Sequence, residues 1–232
     1  MNKFAFAAII AAGLSVSQAN AGIVNGSFES GGTASLSGWS SFGPASSSSA
    51  SSTNGSFSAI EVAQNGGATN AAGLESFLGV TDAALKSIKS GLQNFTTGSA
   101  IKQTFTASAG DKISFDWRFL TNEYIPSPWD FAFYVLNGTA VAIGDTNINS
   151  GYGAGIGGYS SATAWNTTTV TIATAGTYTL GFGALQGGDN MVESALLVDN
   201  VKSTPKVPEP ASLGLLGLGM TALFGARRRK TA

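Results

Sequence analysis

The chain has 232 residues, with 12 Lys+Arg, 13 Asp+Glu, no His and no Cys. Without imidazole or thiol there is no Ser/His/Asp triad, Cys nucleophile, disulfide framework, Cys/His zinc site or haem His ligand. Charged residues make up 11% of the chain and the formal net charge is -1, which leaves oxygen ligands suited to Ca2+ or to a carboxylate-pair hydrolase and gives no nucleic-acid signature.

Residues 1–21 begin with a basic start at Lys3, continue through an apolar run from Phe4 to Val16 and end on Ala19-Asn20-Ala21. That is the pattern of a secretory signal peptide cleaved after Ala21. A retained membrane anchor is the competing reading, and the absence of Cys excludes a lipoprotein. Residues 22–206 then read as one domain. They hold twelve acidic against seven basic residues, so this body is acidic and the basic charge sits in the termini.

Within the body, the Ser-rich stretch Ala45–Ser58 reads as a surface loop or flexible connection. Leu74–Leu92 is the one plausible helix, with Thr81 as N-cap, Leu85 and Ile88 on one face and Gly91 near the C-cap. The strand signals are stronger further on. Ile113, Phe115, Trp117 and Phe119 alternate with Ser114, Asp116 and Arg118, the period of a half-buried strand. Phe131–Leu136 runs into Asn137-Gly138 and then Thr139–Ile143, a hairpin whose two turn residues need positive φ. Val170 and Ile172, then Thr174–Thr177, then Tyr178, Leu180 and Phe182 suggest a second hairpin. Ser194–Val201 is a closing strand with Leu197, Asp199 and Val201 on one face and Leu196, Val198 and Asn200 on the other. Short strands, Gly-rich turns and little helix predict an all-β, jelly-roll-like β-sandwich with one short helix.

After the body, residues 207–232 hold Pro208-Glu209-Pro210, an uncharged run over 211–226 and Arg227-Arg228-Arg229-Lys230. As a hydrophobic helix rising about 1.5 Å per residue, the run reaches about 24 Å and is a marginal transmembrane segment against a core of about 30 Å. The cations stay cytoplasmic and the body lies outside. Pro208, Glu209 and Pro210, the Gly/Leu-rich run and the cluster Arg227, Arg228 and Arg229 together resemble the PEP-CTERM sorting signal. That resemblance implies recognition by an exosortase, transient membrane attachment and delivery to the cell surface or an exopolysaccharide matrix. A permanent anchor of the same topology is the competing reading.

The segment Ile23–Glu29, followed by Gly38-Trp39, and the segment Leu196–Val201 resemble the first and last strands of galactose-binding-like, carbohydrate-binding jelly rolls. In that family the two strands lie close together, and the resemblance implies Glu29 and Asp199 as ligands of a structural Ca2+. Phe119–Tyr124 with Trp129–Phe133 resembles a signature of bacterial surface domains and implies an exported module again.

Glu123 and Asp130 flank the loop Ile125-Pro126-Ser127-Pro128. They are read as Ca2+ ligands, as the acid/base pair of a glycoside hydrolase or lyase, or as solvated carboxylates. Sugar recognition uses aromatic faces beside planar polar groups. Trp39, Trp129, Trp165, Tyr152 and Tyr159 are the candidates, the two Tyr in a Gly-rich loop without the Lys or helix of a phosphate cradle. The expectation is an exported surface or matrix protein associated with exopolysaccharide, binding glycans with Ca2+ and not an enzyme. The rivals are the carboxylate-dependent glycosidase and a purely structural or adhesive protein.

Overall fold

The structure is a computed structural model describing residues 22–63, 70–89, 94–127, 130–147, 151–188 and 191–206. The signal peptide, the segment 211–226 and the sorting-signal residues Pro208, Glu209, Pro210, Arg227, Arg228 and Arg229 lie outside the described residues, as does Trp129. In chain order the elements are β1 (Glu29–Ser30), β2 (Thr33–Ala34), β3 (Ser40–Phe42), β4 (Ala45–Ser48), β5 (Ser58–Ala63), α1 (Ala71–Leu78), α2 (Asp82–Ile88), β6 (Phe95–Ala107), β7 (Lys112–Thr121), β8 (Phe131–Leu136), β9 (Thr139–Asp145), β10 (Tyr152–Ala154), β11 (Ser161–Thr163), β12 (Asn166–Thr171), β13 (Gly176–Gly187) and β14 (Ser194–Thr204).

Among the described residues β1 and β2 pair with each other alone, and the other strands build two antiparallel sheets. One has five strands in the order β3-β6-β13-β8-β9. The other has seven, in the order β10-β11-β7-β14-β5-β4, with β12 also pairing β7. Alternating apolar side chains explain why they close on each other: Phe105, Ile113, Phe115, Phe119, Leu180, Phe182, Leu196 and Val198 meet in one core. Each such side chain removed from water contributes about 1.5–3 kcal/mol. Phe115 and Phe182 meet edge-on across the sheets, with centroids 4.8 Å apart. The expected all-β sandwich is what forms, with a third layer of helix on the outer face of the five-stranded sheet.

That helical layer differs from the expectation of one helix over Leu74–Leu92. Thr81 is indeed an N-cap, its side chain accepting from the Ala84 amide, but the helix it starts ends at Ile88. A separate helix precedes it, capped by Asn70 and stopped at Gly79, whose φ of 70° is left-handed. Such a residue ends one helix and lets the chain turn before the next cap. Leu74, Leu78 and Leu85 then pack on Phe131, Phe133, Val135 and Leu185. Among the described residues no helix is long and apolar enough to cross a membrane.

Three strand-level expectations are corrected. The Ser-rich stretch is not simply a loop, because Ala45–Ser48 pairs with β5 at the sheet edge. Val170–Phe182 is not a hairpin: β12 pairs with β7 while β13 pairs with β6 and β8, so the connection crosses from one sheet to the other. In β14 the register shifts between Asp199 and Lys202 and Asn200 has φ 52°. The irregularity inserts a residue, so Val201 shares the core with Leu196 and Val198.

The Asn137-Gly138 hairpin forms as expected, with φ values of 47° and 77°. The start and end of the body also meet. The Val201 amide donates to the Gly26 carbonyl at 2.9 Å, although only Glu29–Ser30 of the first segment is strand.

Candidate functional site

Strand β7 changes its outer partner part-way along. Asn166–Thr171 pairs with Trp117–Lys112, whereas Ser161 and Ala162 pair with Thr121 and Leu120. Between those ladders Ala164 and Trp165 leave the sheet. Opposite this gap runs β9, the edge of the other sheet, which comes close because Gly144 has no side chain: a Cβ there would stand 2.7 Å from Phe119 Cβ. The result is a cleft of about 230 Å3 lined by Trp117, Ile143, Asp145, Tyr152, Thr163 and Asn166, among others.

Local bonds fix the polar side chains of the lining. Trp117 is half-buried and its indole N–H donates to Thr168 Oγ1 at 3.0 Å. The Tyr152 hydroxyl donates to the Asp145 carbonyl at 2.9 Å, and burial, with the charges of Asp145 and Asp130, pushes the phenol pKa above its usual value. Asp145 Oδ1 accepts from the ammonium of Lys89 and from the Asn147 amide. Lys89, at the end of α2, is only 2% exposed. A half-buried indole, a fixed phenol and a carboxylate around an apolar wall can stack one face of a pyranose ring and accept hydrogen bonds from its hydroxyls.

Of the sequence candidates among the described residues, Tyr152 alone lines this cleft. Trp39 is 8% exposed and lies in the core, 5.3 Å from Phe28 and 6.0 Å from Phe182, so it offers no face to a ligand. Tyr159 and Trp165 are half-buried against Leu120, Ala162, Ala195 and Leu197 on the outer face of the seven-stranded sheet. Burial and the nearby Glu193 carboxylate push the Tyr159 pKa up to about 12. The Trp165 indole N–H donates to Ser51 Oγ at 2.9 Å. Trp117 and Asp145 were not singled out from sequence. Trp117 falls in the alternation that marks core residues, and its place opposite the first residue of β12 is set by the strand pairing.

Glu29 and Asp199 are brought to the same loop. Asp199 Oδ2 accepts from the amides of Thr53 and Asn54 at 2.6 and 2.7 Å and from the Thr53 hydroxyl, while Glu29 Oε1 accepts from the amides of Ser56 and Phe57. Burial raises the Asp199 pKa, against the pull of those amides. Asp116, directly opposite Asp199 on β7, shares the Thr53 hydroxyl. Burial pushes the Asp116 carboxyl up, but donors from Thr167, Asn200 and Thr53 outweigh it and hold the pKa below its usual value.

Loop N–H groups thus point at Glu29 Oε1 and Asp199 Oδ2, two of the oxygens that a shared Ca2+ would use. Asp130 is 1% exposed, and its Oδ2 accepts from Ser194 Oγ inside the sandwich. A glycosidase pair needs both carboxyls in an open cleft, and Asp130 is closed off from one. Among the described residues no group of three or more acidic side chains is placed to hold a metal ion.

Solved structures similar to this chain include TmCBM61 in complex with β-1,4-galactotriose, at 11% identity and TM-score 0.42 over 79% of this chain and 97% of that one. A non-crystalline cellulose specific carbohydrate-binding module, CBM28, matches at 12% identity and TM-score 0.40 over 79% and 95%. The K3 cleaved adhesin domain of Lys-gingipain from Porphyromonas gingivalis W83 matches at 14% identity and TM-score 0.41 over 79% and 99%. Similarity of this order does not transfer a ligand. No curated protein matches the chain significantly. The C-terminal segment is specific where the body is not: residues 206–230 match the PEP-CTERM protein-sorting motif, and the chain therefore carries the C-terminal sorting signal of an exported protein.

Proposed function

We propose that this is a surface or matrix protein, sorted by an exosortase and associated with exopolysaccharide, whose sandwich binds a glycan chain in the cleft of Trp117 and Tyr152. The observation that supports the reading is the cleft itself: an indole and a phenol locked by hydrogen bonds beside Asp145, in a space of about 230 Å3. A cleft of this size takes one or two sugar units at the sheet edge and leaves the rest of a polymer outside. No residue in it is assigned a catalytic role.

Affinity electrophoresis against a panel of soluble polysaccharides tests the binding. Retention by at least one gel is expected, falling at least tenfold in Trp117→Ala while the thermal melt stays cooperative. Retention unchanged by Trp117→Ala refutes this cleft. For sorting, the protein from a strain lacking its exosortase is expected in the inner membrane with its Arg cluster intact. Release of a shortened product from that strain removes the exosortase from the account.

A further inference from the structure

Resting on the glycan-binding reading of the cleft, we infer that its ligand is an uncharged glycan and that the site rejects chains bearing uronate or sulfate groups. The inference comes from the hydrogen-bond polarity of the lining. The aromatic donors that line the cleft are already engaged, the indole N–H of Trp117 with Thr168 Oγ1 and the hydroxyl of Tyr152 with the Asp145 carbonyl, and one N–H of the Asn166 amide is held by the Ala164 carbonyl at 2.9 Å. Acceptors remain. Among the described residues, Asp145 Oδ2 and Asn166 Oδ1 receive no hydrogen bond.

A sugar hydroxyl donates to such acceptors, whereas a carboxylate or sulfate has only lone pairs to offer. Charge acts in the same direction. The cleft is lined by Asp145 and by no Lys or Arg among the described residues. The cation that offsets Asp145 is Lys89, whose ammonium lies behind it at 2% exposure, out of a ligand's reach. The body adds twelve acidic residues against seven basic ones, which repels polyanions before contact.

Matched polymer pairs that share a backbone and differ in charge isolate this property: polygalacturonate against its fully methyl-esterified form, and carboxymethyl cellulose against hydroxyethyl cellulose. Binding of the whole exported protein is measured by affinity electrophoresis at low salt and at about 1 M NaCl, where the Debye length is about 3 Å. The uncharged member of a retained pair is expected to bind at least tenfold tighter, with the gap narrowing at high salt and binding lost in Trp117→Ala. A double variant, Lys89→Met with Asp145→Asn, removes the cleft charge without stranding the buried ammonium, and it is expected to bind the two members of a pair within threefold of each other. Equal or tighter binding of the charged member that still depends on Trp117 overturns the inference and leaves the glycan reading standing. Retention of no member of any pair overturns both.

Discussion

Glu61 is a carboxylate placed where the sandwich has no use for one. It sits on β5 between the core residues Ala59 and Ala63, is 0% exposed, and neither of its oxygens has a hydrogen-bond partner. Burial pushes its pKa well above 4.5, opposed only by its own backbone amide. The folded protein therefore favours the neutral acid more than does the unfolded chain, which releases the proton near its ordinary value. The stabilising effect is complete below about pH 4.5 and is lost as pH rises from there toward the folded value, at about 1.4 kcal/mol per pH unit.

Each pH unit across that interval is worth about 3–6 °C in Tm for a body of this length. Glu61→Gln keeps the shape and removes the titration. Its amide carries a pH-independent penalty of about 1–3 kcal/mol for unsatisfied donors. The difference in Tm between the two proteins, followed by circular dichroism from pH 4 to pH 8, is expected to shift steadily in favour of Glu61→Gln as pH rises. Parallel curves would falsify the assignment of a buried neutral acid.

Three further outcomes follow from the geometry. Asp199→Ala strands the amides of Thr53, Asn54 and Asn200; a loss of about 2–4 kcal/mol and faster proteolytic cutting within residues 51–57 are expected, and an unchanged cutting rate refutes the role of Asp199 as the clasp. Gly26→Ala places a Cβ 1.8 Å from the Val201 carbonyl oxygen, so it is expected to prevent accumulation of folded protein; a variant melting within 3 °C of wild type shows that the first segment is not held there. Because loop amides hold Glu29 Oε1 and Asp199 Oδ2, chelation by EDTA is expected to leave Tm unchanged, and a rise of more than about 2 °C on adding millimolar Ca2+ contradicts that expectation.

What could be read in advance was local. Asn137-Gly138, the alternation of Ile113, Phe115 and Phe119, and the cap at Thr81 are decided by residues a few positions apart. The longest strand, β6, was missed because its core-facing positions include Thr97, Ser99 and Gln103. These are polar side chains whose partners come from elsewhere: Thr97 from Gln186, Gln103 from the carbonyls of Val24 and Gly38. The Ser-rich stretch looked flexible for a similar reason, since the carboxylates that hold its amides belong to residues 29 and 199. Val170 and Tyr178–Phe182 lie in strands as expected, but Thr174–Thr177 is no hairpin turn, Gly176 and Thr177 belonging to β13, and alternation does not say which sheet a strand enters. The cleft depends on where β7 exchanges partners and on the approach of Gly144 to Phe119, neither of which leaves a pattern in the sequence.

The position of β14 bears on how this molecule carries load. It is the last strand before the sorting motif and lies between β7 and β5 in the seven-stranded sheet. The end of the described chain is held as well, the Lys206 amide donating to Asp111 Oδ1 at 2.9 Å. A pull entering through the C-terminal segment runs along the axis of a strand that β7 ladders over Ser194–Thr204 and β5 also ladders over Ser194–Val198, so its hydrogen bonds resist together in shear and do not open one at a time. A tether attached at this point works against the strongest direction of the sheet.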